Sequence, residues 1–184
     1  MTFFKSRWLP YVIAVPIFAF LFFLFFYPNW NGKVKIQDGN IKNLLNYANS
    51  DFRVSLLYPP SWLPDTKKGG FNGNTLSFTG DDGFFGIDAI SGSEGASIDD
   101  VVSNTVLNLY GSDPTISSTT LGGMEARLII PSEDQSPERR SEAAVIARYP
   151  GPVKIGDYIY VFFMLYGDKN HLPDIAQTVQ FVGF

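Results

Sequence analysis

Apolar residues run unbroken from Leu9 to Tyr27, nineteen positions without a charged side chain. At about 1.5 Å per helical residue, such a run reaches ~28 Å, the thickness of a bilayer's hydrocarbon core. Lys5 and Arg7 precede it, and Trp8, Tyr11, Tyr27 and Trp30 mark its two ends as interfacial aromatics do. The run predicts one N-terminal transmembrane helix kept as a single-pass signal anchor. Phe25-Phe26-Tyr27-Pro28-Asn29-Trp30 offers no small-residue cleavage site, and a lipoprotein anchor would need a cysteine that the chain lacks. Pro16 falls mid-segment, where a membrane helix tolerates it with a kink. Lys5 and Arg7 are nearly balanced by Lys33 and Lys35, so charge alone does not orient the segment. The short amino-terminal tail argues for a cytoplasmic N-terminus and a C-terminal domain on the extracytoplasmic side.

Residues 31–50 read as a connector between the anchor (1–30) and the rest. Asn29-Trp30-Asn31-Gly32 is a turn cluster, and Ile41, Leu44, Leu45 and Ala48 share helical spacing. The stretch is therefore either a short amphipathic helix or an irregular lead-in.

From residue 51 to 184 the pattern is that of one domain with a single core. Phe52 to Tyr58 alternates and stops at Pro59-Pro60, which cannot continue a ladder. A Gly- and Asn-rich loop, Gly69 to Asn74, leads to a strand over Thr75–Thr79. Asp81-Asp82-Gly83 then turns the chain into a partner strand over Phe84–Ile90. Ser97-Ile98-Asp99-Asp100 is a capping box, and Ile98, Val101, Val102, Thr105, Val106, Leu109 and Tyr110 follow at helical spacing. Gly111 and Pro114 end that helix. Thr115–Leu121 and Met124–Pro131 flank Gly122-Gly123 as a second hairpin. Ala143–Tyr149 is a strand, Gly151-Pro152 a turn, and Tyr158–Tyr166 a strand apolar on both faces, hence central and covered on both sides by helices. A closing helix is predicted over Leu172–Gln180 with Asn170 as its cap. The expected fold class is α+β, an antiparallel β-sheet sandwiched between helices.

Charge narrows the partners. Without Lys5 and Arg7 there remain 12 basic against 18 acidic residues, a net of −6. Such a domain has no basic footprint for nucleic acid, and anionic headgroups would repel it. The absence of cysteine leaves no disulfide staple and no thiol nucleophile.

The residues carry no recognisable catalytic constellation. His171 is the only histidine, so a multi-histidine metal site is excluded, and no Gly-x-Ser-x-Gly elbow accompanies it. Its place beside Asn170 at a helix start suits a capping or surface role. No Ser-x-x-Lys is present for a serine–lysine dyad, and Lys67-Lys68 sit in a Gly-rich loop. No Walker loop or dinucleotide fingerprint occurs. Asp81, Asp82 and Asp88 are oxygen ligands of the kind Ca²⁺ takes. Asp-Asp-Gly is equally the composition of a tight turn, and no Asp-x-Asp-x-Asp-Gly spacing supports a calcium loop. The expectation is therefore no catalytic, cofactor or metal residues. Glu133, Asp134, Glu138 and Glu142, interleaved with Arg139 and Arg140, form a solvated loop suited to docking. Phe84, Phe85 and Phe71 are either interface aromatics or core.

Several of these segments resemble one family. Phe52-Arg53-Val54-Ser55-Leu56-Leu57-Tyr58-Pro59-Pro60-Ser61-Trp62 is similar to the opening strand of PsbP-like domains, which ends in Tyr-Pro and then a Trp. The Ser97–Tyr110 helix, Leu121-Gly122-Gly123-Met124-Glu125-Ala126 and Ile175–Phe181 resemble that family's helix, glycine turn and terminal helix. The resemblance spans about residues 51–184 and rests on structural rather than chemical motifs. It implies a non-enzymatic accessory or docking subunit of a membrane protein complex. Relatives include extrinsic photosystem subunits linked to calcium and chloride retention, so photosynthesis is one implied setting. The uncleaved anchor departs from those forms, which are soluble or lipidated on cysteine. The alternative expectation is a membrane-anchored envelope hydrolase with an unrecognised site.

Overall fold

The computed structural model describes residues 44–65, 76–93 and 95–184. The apolar run 9–27, the Asn29–Gly32 cluster, Ile41, Lys67, Lys68 and Phe71 lie outside the described residues. Among the described residues no helix is long and apolar enough to cross a membrane.

Among the described residues ten strands and two helices follow in chain order: β1 (Leu45–Asn49), β2 (Val54–Tyr58), β3 (Leu63–Asp65), β4 (Leu76–Gly80), β5 (Gly83–Ile90), α1 (Ile98–Leu109), β6 (Thr115–Leu121), β7 (Met124–Ile130), β8 (Glu142–Ile155), β9 (Tyr158–Asp168), α2 (Leu172–Thr178) and β10 (Gln180–Phe181). Seven strands form one antiparallel sheet in the order β3-β4-β5-β9-β8-β7-β6, and β1-β2-β10 form a second.

This corrects the α+β expectation of a sheet sandwiched between helices. The domain is mostly β, with two antiparallel sheets. One face of the seven-stranded sheet is covered by α1, where Ile98, Val101 and Val102 meet Ile146, Phe162 and Met164. The opposite face is covered by the three-stranded sheet together with α2. There Val54, Leu56, Leu172 and Ile175 meet Phe85, Val145, Phe163 and Leu165. The closing helix ends after two turns at Thr178, too short to cover a sheet face. Segments that lack a strong strand signature of their own complete the layer.

β1 is the clearest such segment. The helical spacing of Leu44, Leu45 and Ala48 is overridden by pairing along all five residues of β2, from Leu45 opposite Tyr58 to Asn49 opposite Val54. Asn49 then ends the strand, its Oδ1 accepting from the N–H groups of Asp51 and Phe52 at 2.9 and 3.0 Å. The 45–49 part of the connector thus belongs to the domain. Gly151-Pro152 makes no turn either. β8 runs through it as an irregularity between Arg148 and Val153, where a strand accepts a residue lacking an N–H.

The helix and both hairpins stand where the pattern put them. Ser97 caps α1 by accepting from the Asp100 N–H at 3.1 Å, and Gly111 follows with φ +88°. β9 is central in its sheet, and its alternate residues enter the two cores.

Candidate functional site

Two places gather polar side chains from several elements. The first is built on Trp62, which follows the Pro59-Pro60 break and is only 1% exposed. Its indole N–H donates to Asp82 Oδ1 at 2.7 Å, so the two-residue β4–β5 turn is tied to the chain after β2. His171, at the N-cap of α2, packs edge-on against the indole with ring centroids 5.3 Å apart. Its Nδ1 lies 3.1 Å from Asp168 Oδ1 and its Nε2 lies 3.9 Å from Asp82 Oδ2. Gly80 and Gly83 make room: a Cβ on Gly83 would sit 2.9 Å from Trp62 and 3.0 Å from His171, and one on Gly80 would collide with the indole.

The indole N–H, and to a smaller degree the Coulombic pull of His171, hold the Asp82 carboxyl below the usual carboxylate range. The two carboxylates address opposite nitrogens of one ring, so the three groups cannot converge on a single ion. Among the described residues no group of three or more His, Asp or Glu is placed to hold a metal. What this arrangement does is tie the β4–β5 turn to the chain after β2 through the indole N–H bond to Asp82, with His171 at the start of α2 packed against the same ring.

The second place is a shallow cleft of about 360 Å³ between the start of α1 and the sheet, lined by Ser97, Asp99, Glu125, Arg127 and Arg148. Arg127 Nε meets Asp99 Oδ1 at 2.8 Å and its terminal nitrogen meets Glu125 at 2.8 Å. The hydrogen bonds that Arg127 donates to Asp99 are the main cause that keeps this guanidinium protonated even more firmly than usual. Arg148 donates to the Ala96 carbonyl and stacks 4.6 Å over Phe162. Both cations are engaged by the protein itself, and the cleft works as a clamp that seats α1 on the sheet.

The acidic loop is similarly occupied on its inner side. Gln135 Nε2 donates to the Leu109 carbonyl at 2.9 Å, and the Ser132 N–H donates to the Tyr110 carbonyl at 3.0 Å, closing the open end of α1. The Ser112 N–H donates to Asp134 at 3.2 Å, and the Ser132 hydroxyl also donates to that carboxylate. Glu133, Glu138 and Arg139 face solvent. Of the aromatics, Phe85 is core, stacked on Phe78 at 4.7 Å, and Phe84 is half-buried. Asp81 is exposed in its turn, and Asp88 and Glu142 are half-buried strand residues.

No family model matches this chain, and no curated protein matches it either. The resemblance to PsbP-like domains therefore rests on the sequence segments that carry it. Sequence reasoning treated Trp62, Asp82 and His171 separately, because separations of 20 and 89 residues carry no spacing signal. It also gave no sign of the large apolar side chains left in solvent. Tyr158 and Ile159 open β9 just after the Gly156-Asp157 turn and are 65% and 62% exposed.

The loop that closes α1 should be acid-sensitive. Its hydrogen bonds, first that of Ser132 and then those of Ser112, lower the Asp134 carboxyl from 3.8 to about 2. A folded-state value below the unfolded one contributes stability that is present above pH 3.8 and disappears as pH falls toward 2. Asp134→Asn should therefore be less stable than the parent at neutral pH, by a modest margin because the group is exposed, and the gap should close in acid. Thermal unfolding of both proteins across that pH range checks this. A gap that does not change with pH would show that Asp134 contributes nothing through its charge.

Proposed function

We propose that this protein is a non-enzymatic accessory or docking subunit of a larger membrane assembly. The apolar run 9–27 holds it in the membrane, and the β-rich domain is displayed on the extracytoplasmic side. A PsbP-related role agrees with the Tyr58-Pro59-Pro60-Ser61-Trp62 segment, whose Trp anchors the core.

The observation that carries the reading is the tip of the β8–β9 hairpin. Tyr158 and Ile159 are adjacent, so they point to opposite faces of the strand, yet both stand in solvent. Large apolar side chains left in solvent on both faces beside one hairpin turn suit an interaction surface better than a folding need. Tyrosine also adds contact area at little entropic cost. The polar groups that do converge are engaged with one another, which supports docking over hydrolysis. His171 in particular has a carboxylate against each ring nitrogen.

The test is recovery of partners from detergent-solubilised membranes. Tyr158→Ser with Ile159→Ser should reduce copurifying subunits at least about tenfold, as loss of a central aromatic anchor does, with an unchanged melting temperature. Unreduced recovery would remove the tip from the interface. A hydrolytic activity abolished by His171→Ala at unchanged melting would replace the docking reading with an enzyme.

A further inference from the structure

The seven-stranded sheet ends in two very different edges. β3 at one end is three residues long and carries Pro64 and Asp65, devices that discourage further pairing. β6 at the other end, Thr115-Ile116-Ser117-Ser118-Thr119-Thr120-Leu121, has no charge, proline or glycine, and all but Thr119 and Leu121 are exposed. The edges of the small sheet are weaker templates, since β10 has two residues and β1 five.

The geometry of the β6–β7 turn decides which groups β6 offers. Leu121 pairs with Met124 across Gly122-Gly123, with φ values of +56° and +81° as in a type I′ turn. Residues flanking a two-residue turn exchange both backbone hydrogen bonds. Leu121, Thr119, Ser117 and Thr115 therefore bond to β7, and Thr120, Ser118 and Ile116 direct their N–H and C=O groups outward. Among the described residues no other backbone group meets them.

We propose that β6 pairs antiparallel with β6 of a second copy of this chain, with Ser118 on the two-fold axis. In that register Ser118 faces its own equivalent and Ile116 faces Thr120 of the other copy. Every outward N–H then meets an outward C=O. No charged residue lies opposite a like charge within the strand, and threonine and serine side chains form favourable cross-strand pairs. The axis stands normal to the sheet, as for any antiparallel pair within one sheet, so the two copies show the same face. Both three-stranded sheets, and with them both copies of β1, lie on one side of the joined sheet. On the reading that residues 9–27 anchor the chain, two copies share one membrane, which raises their effective concentration. The inference stands apart from the docking reading, because the hairpin tip and the β6 edge can fail independently.

The chain has no cysteine, so one can be introduced as a reporter. In the full chain purified in detergent, Ser118→Cys should form a disulfide-linked dimer under mild oxidation, because the paired Cα atoms lie within disulfide range, about 5.5 Å. Thr120→Cys places the two thiols four residues apart in register, roughly 13 Å, and should crosslink at least tenfold less. Ser118→Pro removes an outward N–H without touching the β6–β7 ladder, a position where edge strands accept proline. It should abolish the dimer seen by light scattering with less than a few degrees' change in melting. A monomeric parent protein, equal crosslinking at positions 118 and 120, or a Ser118→Pro variant that is folded and still dimeric would each overturn the proposal. A monomer that acquires a β6 partner only from a membrane extract would overturn it in favour of a heterologous strand.

Discussion

Trp62→Ala is expected to destabilise the domain by roughly 3–5 kcal/mol, the usual cost of truncating a fully buried aromatic. The indole is packed on Phe85 at 6.0 Å between ring centroids, touches His171, and lies over two glycines whose missing side chains form its seat. Two other segments, the β4–β5 turn and the start of α2, would lose their common partner in the chain after β2. Trp62→Phe keeps one ring against Phe85 but gives up both the 2.7 Å bond to Asp82 and the volume of the second ring, so its cost should be about 2 kcal/mol. Urea unfolding of both variants measures the two costs. A Trp62→Ala loss below about 1 kcal/mol would mean that the site collapses around the vacated volume and the ring is no keystone.

The second large effect concerns where the domain begins. A chain started at Leu44 should fold like the parent, and one started at Asp51 should be less stable by about 2–4 kcal/mol. The shorter chain lacks the whole β1 ladder, the Tyr47 ring set edge-on at 5.1 Å from Phe78, and the Asn49 carboxamide that caps Asp51 and Phe52. It also turns β2, a central strand, into an open edge on one side. Circular dichroism and denaturant titration of the two truncations decide the point. Equal stabilities would return residues 45–49 to the role of a passive connector.

These two cases show where the amino-acid pattern is informative and where it is silent. Ser97, the spacing behind it and Gly111 specify α1 because capping and amphipathicity are local properties. The Gly122-Gly123 hairpin is legible for the same reason. β1, β3 and β10 are short and flanked by weak signals, and only pairing with distant partners makes them strands. Reading Ile41, Leu44, Leu45 and Ala48 as a helical face, or the stretch as an irregular lead-in, missed that competition. Gly151-Pro152 imitated a turn because a bulge and a turn favour the same residues. The Trp62, Asp82 and His171 contacts were invisible for a topological reason: no local rule links a turn between strands to the start of a helix some ninety residues later.

The order of the large sheet has a kinetic meaning. β3, β4 and β5 form one meander of sequence neighbours, and β6, β7, β8 and β9 form another. Each can assemble over connections far shorter than the one between the two meanders. They join along a single seam, Phe85 to Ile90 against Gly167 to Phe162, which brings together residues separated by more than seventy positions of chain. Closing a loop of that size is slow, and it must precede the burial that rewards it. The seam is also sterically exacting: Gly86 lies under the Tyr166 ring, and Gly167 packs against the backbone of Phe84 and Phe85. The two halves can thus acquire their hairpins early, and the rate of reaching the native state is governed by the moment at which two glycines and the Tyr166 ring find their places.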